Sequence, residues 1–173
     1  WDRRSSGDAA CAACAACVKC SGCTEVNSIA FSRAWQHCVA SGGDDGALCV
    51  WDARKLAQPL LRVAGAHDRV VQVDWSLQCP HIIATAGLDD CAVKIWDLSR
   101  ETAAPSQQDN QQDNQQQQQQ PPQLAFVHRG HRAPVKEFAW NPNDPWTIAS
   151  VDEDLMLHVW QPTESVHTPL APL

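Results

Sequence analysis

Short apolar runs broken by polar turns cover most of the chain, and their order repeats. VNSIAF (26–31), VVQVDW (70–75) and VKEFAW (135–140) each open a unit. A polar or proline-bearing turn follows, such as SLQCP or NPNDP. A second run comes next, HCVAS, HIIATA or WTIAS. A tight turn rich in Gly or Asp then leads into a run that ends in Trp. Runs of this length between turn signals predict antiparallel β-strands. A fourth run completes the unit, LLRVAG (60–65) after one Trp and LAFVHR (124–129) after the next. Four strands per unit, repeated in phase, predict the blades of a β-propeller.

The tryptophans set the period. Three of the eight close similar segments: GGDDGALCVWD at Trp51-Asp52, AGLDDCAVKIWD at Trp96-Asp97 and SVDEDLMLHVWQ at Trp160-Gln161. Trp1-Asp2 looks like the tail of one more. Trp51 and Trp96 are 45 residues apart, within the usual period of about 40–45 for such a repeat. Trp96 to Trp160 spans 64, and the excess matches an interruption that includes QQDNQQDNQQQQQQPP. Trp1 to Trp51 spans 50, with a Cys/Ala ladder as the surplus. Both insertions are expected between repeats, where loops tolerate them. The organisation expected is the end of a blade plus the ladder (1–23), a repeat (24–63), a second (64–100), a Gln-rich disordered loop (101–123), a final repeat (124–161) and a tail (162–173). A start in mid-motif, without Met, is expected of a fragment.

Composition removes several function classes. The formal net charge of −7 and pI near 5.3 argue against a sequence-independent grip on DNA, which needs clustered Lys and Arg. They suit a surface that meets basic peptides. No apolar run reaches the roughly 18 residues of a membrane helix. Nine cysteines, an odd number without a secretory signal, favour a reducing compartment.

The recurring Trp-Asp, Gly-His and turn Asp resemble the WD-repeat family. The implied fold is all-β, a fragment of about three four-stranded WD40 blades out of a seven-bladed propeller. In that family a His after Gly, a Ser or Thr on the second strand, a turn Asp and the strand-end Trp hydrogen-bond to one another. The last repeat supplies His131, Ser150, Asp154 and Trp160. The middle one supplies His67, Asp90 and Trp96, with Ala86 where the hydroxyl is expected, so the Trp96 indole is expected to need a water or to stay unpaired. The first supplies Ser41, Asp45 and Trp51, with Gly22-Cys23 in place of Gly-His. Because these residues keep phase with the repeats, they read as scaffold and not as a catalytic Ser/His/Asp set. No nucleophile with a base at meaningful spacing and no phosphate-cradling Gly loop stands out, so neither an enzyme nor a cofactor is expected.

The final repeat carries a closer resemblance. Pro121-Pro122, Gly130-His131, Trp140-Asn141-Pro142-Asn143 and Pro145-Trp146 resemble the last blade of the MSI-like histone-binding proteins, relatives of the retinoblastoma-binding chromatin subunits. VWDARK, GAHDRVVQVDW and VKIWDLSR fit the two preceding blades. The resemblance implies a nuclear scaffold subunit of chromatin-assembly and chromatin-modifying complexes. Its implied partners are histones H3 and H4 and other chromatin-complex subunits. An H4 helix would lie against an acidic loop that ends in Pro-Pro, here Pro121 and Pro122 with Leu124 behind them. The loop departs from the family in being mostly Gln and Asn, with Asp109, Asp113 and Glu101 as its carboxylates.

Two alternatives stand beside that reading. Trp1-Asp2-Arg3-Arg4 and Trp51-Asp52-Ala53-Arg54 resemble the box that docks WD-repeat proteins onto the DDB1 adaptor of cullin-4 ubiquitin ligases, with Arg4 and Arg54 as the exposed cations. The thin acidic loop also fits a truncated, non-functional paralogue. The ladder Cys11, Cys14, Cys17, Cys20 and Cys23 lacks the two spaced pairs of a zinc site and reads as low-complexity insertion. About three blades would leave two apolar faces open, so the chain by itself is expected to aggregate.

Overall fold

The computed structural model describes residues 25–100 and 121–162. Among them, eleven strands form three antiparallel sheets. The first holds β1 (Val26–Phe31), β2 (Cys38–Gly43), β3 (Leu48–Asp52) and β4 (Leu61–Val63). The second holds β5 (Val70–Trp75), β6 (Ile82–Gly87), β7 (Val93–Asp97) and β8 (Leu124–His128). The third holds β9 (Val135–Trp140), β10 (Ile148–Asp152) and β11 (Leu157–Trp160). Each is a meander of chain neighbours, as expected of propeller blades.

Two features qualify the sequence reading. The third sheet has three strands among the described residues, so β11 pairs on one side only. The Gln-rich insertion lies between sequence repeats, as expected, and because β8 pairs with β7 it also separates two strands of one sheet. An edge strand tolerates this because pairing needs only that the chain return, and lengthening a loop costs little closure entropy.

The three sheets repeat a structural irregularity. A register shift follows the first residue of the opening strand each time, skipping Asn27, Val71 and Lys136. Such a bulge sharpens the local twist. It also re-aims side chains toward the next sheet. Asn27 donates to the Val70 carbonyl at 2.8 Å, and Ser28 accepts from the Val73 amide at 3.0 Å. Gln72 both donates to and accepts from the Phe138 backbone, at 2.9 and 2.8 Å.

The core lies between sheets. Leu48, Val50 and Val63 of the first pack on Val73, Trp75, Ile83 and Trp96 of the second. Ile82, Ala84 and Ile95 of the second pack on Phe138, Trp140 and Ile148 of the third. The second sheet is thus covered on both faces, and every residue of β6 is buried. Gly42 permits a close approach of the two sheets, since a Cβ there would overlap Val70. The outward faces of the flanking sheets stay open. Ile29 and Phe31 are 64% and 65% exposed, and Leu157 and Val159 are 64% and 67% exposed.

Candidate docking surface

The polar network of the second sheet closes completely. The Trp96 indole donates to the Thr85 hydroxyl at 2.7 Å. That hydroxyl lies 2.8 Å from His67 Nε2, and His67 Nδ1 lies 2.8 Å from an Asp90 carboxylate oxygen. Since a carboxylate only accepts, Nδ1 carries the proton and Nε2 accepts from Thr85. Thr85, not position 86, is therefore the hydroxyl, and the Trp96 indole is paired. The reason is strand parity. In all three sheets the hydroxyl stands two residues beyond the residue opposite the Trp: Val39 and Ser41, Ile83 and Thr85, Ile148 and Ser150. The turn between β6 and β7 is one residue longer than its counterparts and holds Cys91 at φ 49°, so counting back from Trp96 misses by one.

Asp90 is half-buried, and that partial burial raises its pKa. Hydrogen bonds from His67 and from Lys94 (2.7 Å) outweigh that and hold it at about 2. Burial pushes His67 below its ordinary value, and the Asp90 bond opposes the shift only in part. Gly87 makes room for the pair, since a Cβ there would overlap both Asp90 and His67.

The third sheet reaches the same network by another route. The Trp160 indole donates to the Ser150 hydroxyl at 3.0 Å, and Ser150 lies 2.6 Å from His131 Nε2. His131 Nδ1 meets Asp152 at 2.9 Å, not Asp154, which is exposed. Asp152 occupies the strand position of Gly87, two residues beyond the hydroxyl. A side chain from that position points straight at the imidazole. The turn Asp is then not needed, and the hydrogen bond from His131 lowers the Asp152 pKa. In the first sheet the Trp51 indole donates to Ser41 at 2.8 Å, but Asp45 turns outward to Arg62 at 2.8 Å. Cys23 lies outside the described residues. Each hydroxyl that contacts a histidine also accepts from a Trp indole and is buried, so these groups satisfy one another inside the blade.

A lateral cleft of about 540 Å³ opens beside the second sheet. Ala64, Asp68, Lys94, Pro121, Leu124 and Arg129 are among its lining residues. The structure therefore brings Pro121 and Leu124 to one wall, while Pro122 is exposed next to them. Lys94 is turned inward onto Asp90 and the Ala66 carbonyl, while the exposed Asp68 lines the cleft. Asp109 and Asp113 lie outside the described residues, as do Arg4 and the Cys11–Cys23 ladder. Elsewhere, Trp51 is buried, and Arg54 folds onto Asp52 through two bonds of 3.0 and 2.8 Å while its side chain stays 64% exposed. That pairing holds the Asp52 carboxyl well below the usual range.

Comparison with known proteins agrees with this architecture. The family model for the WD domain, G-beta repeat, matches residues 14–52, 58–97 and 122–161. The chain belongs to that family. It is 35% identical over 135 residues to the histone acetyltransferase type B subunit 2 of Eremothecium gossypii, covering 78% of this chain and 30% of that protein. It is 29% identical over 140 residues to the subunit of the same name from Candida glabrata (81% and 32%). It is 29% identical over 137 residues to the histone-binding protein MSI1 of Saccharomyces cerevisiae (79% and 28%). The chain spans about a third of the length of the curated relatives it matches.

Proposed function

We propose that this chain is part of a histone-binding scaffold subunit of nuclear chromatin-assembly and chromatin-modifying complexes, and that it docks proteins without catalysing a reaction. The observation that carries the reading is the lateral cleft, lined by Pro121 and Leu124 and by the exposed Asp68. An amphipathic histone helix can lay its apolar stripe on Pro121 and Leu124 and set a Lys or Arg beside Asp68. The names of the similar proteins support it, two as subunits of a histone acetyltransferase and one as histone-binding. The H4 helix is the segment we assign to the cleft, and the Gln-rich loop carries Asp109 and Asp113 as further candidate contacts. Binding of H3–H4 is measured in a pull-down at physiological salt, with Leu124→Asp and Asp68→Lys as variants. Both variants are expected to lose binding, and an H4 helix peptide to compete. Equal retention by all three proteins would end the reading.

Arg54 favours a second role, docking onto the DDB1 adaptor of cullin-4 ligases, because its guanidinium is presented at a strand end by Asp52. Arg54→Ala is expected to abolish adaptor binding and leave histone binding intact. Unchanged adaptor binding would remove this role.

A further inference from the structure

Three histidines converge where the second and third sheets meet. His128 ends β8, His131 follows it in the connecting segment, and His158 lies on β11. One nitrogen from each falls within 4.8 Å of the other two. His131 is already committed to Asp152 and Ser150. The other two rings meet each other, with His128 Nε2 at 3.2 Å from His158 Nδ1 and the planes near perpendicular at 87°. Each is held by an aromatic neighbour. His128 stacks on the Trp160 indole at 4.3 Å, and His158 stacks on His131 at 4.1 Å. Two imidazoles from two sheets therefore aim nitrogens at one point.

We propose that His128 Nε2 and His158 Nδ1 form a binding site for a divalent transition cation, zinc in the first place, which clips the second sheet to the third with water completing the coordination. Zinc holds imidazole nitrogens at about 2.0–2.1 Å in a tetrahedron, which sets two such nitrogens about 3.3 Å apart. The observed 3.2 Å meets that requirement without movement of either strand. Gly130 keeps the approach open, because a Cβ there would stand 2.8 Å from His128 Nε2 and 2.9 Å from His158 Nδ1. Both rings are only half-buried, so water reaches the remaining positions. His131 is a positioning residue: its bonds to Asp152 and Ser150 fix the ring on which His158 lies, as outer partners fix metal ligands elsewhere. The counterparts of His158 two residues before the Trp are Cys49 in the first sheet and Lys94 in the second, so the imidazole pair is particular to this junction.

The test is a calorimetric titration of the whole chain with Zn²⁺. Cys11, Cys14, Cys17, Cys20 and Cys23 are all changed to Ser in this background, so that the thiolates of that ladder do not compete. The expected result is one zinc per chain, a higher melting temperature with zinc, and movement of the His128 and His158 ring signals in NMR. His128→Ala and His158→Ala are each expected to weaken binding by about tenfold or more. Gly130→Ala, which keeps both imidazoles, is expected to do the same, whereas His37→Ala is not. If a histidine variant fails to fold, Gly130→Ala and the ring signals of the parent protein decide the matter. Equal zinc affinity in the folded variants, or ring signals that stay put at saturating zinc, would reduce the pair to a plain hydrogen bond between imidazoles.

Discussion

The second and third sheets carry one polar network on two kinds of support. In the second, Gly87 clears a space that Asp90 fills from the turn, and Lys94 adds an ion pair at 2.7 Å. In the third, Asp152 fills that space directly from the strand, and His158 stands where Lys94 would be. The surroundings differ more. The second sheet is covered on both faces, whereas β11 alternates exposed and half-buried residues. The comparison separates two causes of order. Hydrogen bonding within a blade is local and needs only four residues in phase. Burial comes from the neighbours, and it sets what each of those bonds is worth, since an unpaired group costs most where water cannot reach it.

The largest expected effect tests that statement directly. Thr85→Val strands the Trp96 indole and the His67 imidazole in a dry interior and is expected to cost about 3 kcal/mol. Ser150→Ala removes the matching bonds in the third sheet, but water reaches Trp160, so about 1–2 kcal/mol is expected. Urea unfolding of both variants measures the difference, and equal losses would break the comparison.

Acid comes next. The fold holds Asp90 ionised at about 2, below its ordinary 3.8, so its contribution is full above about pH 4 and lost as pH falls toward 2. The fold also holds His67 neutral, below its ordinary 6.5, so stability starts to fall as pH drops through that value. Asp90 and Lys94 are the charged groups that face it. Melting temperatures from pH 7 to 3 are expected to decline throughout. Asp90→Asn is expected to flatten the decline below pH 4, and an unchanged slope would count against the assignment.

A smaller contrast concerns two tryptophans at equivalent strand ends. The Trp75 indole donates to the Ala30 carbonyl at 3.1 Å, whereas the Trp140 indole nitrogen is buried without a hydrogen-bond partner among the described residues. Trp75→Phe is expected to cost about 1 kcal/mol more than Trp140→Phe, because only the first removes a bond. Thermal melts of the pair measure it.

The smallest effect on stability falls on the open faces. Ile29→Lys and Val159→Lys are expected to change unfolding free energy by less than about 0.5 kcal/mol, as exposed sites do. Together they are expected to shift the chain from aggregate toward monomer in light scattering. Aggregation that persists would place its cause elsewhere.

Much of this molecule was legible from pattern. VNSIAF, VVQVDW and VKEFAW coincide with β1, β5 and β9, because alternation between turn signals marks a strand wherever it packs. Ser41 with Trp51, and Ser150 with Trp160, were legible because their spacing is regular. Thr85 was not, because one extra turn residue displaces it from a count made along the chain. Asp152 was not, because it bonds from a strand position that holds glycine in the other two sheets. The meeting of His128 and His158 had no signal in sequence, as the two lie 30 residues apart on different sheets.

The sequence by itself determined the repeat, its phase, the strands and the apolar faces they present. Those follow from short-range alternation and from turn chemistry, which act within a few residues. Only the tertiary structure decided which hydroxyl and which carboxylate close each network, which sheet is covered on both faces, and that Pro121 and Leu124 share a cleft. Those depend on register and on contact between sheets, where a shift of one residue turns a side chain to the opposite face.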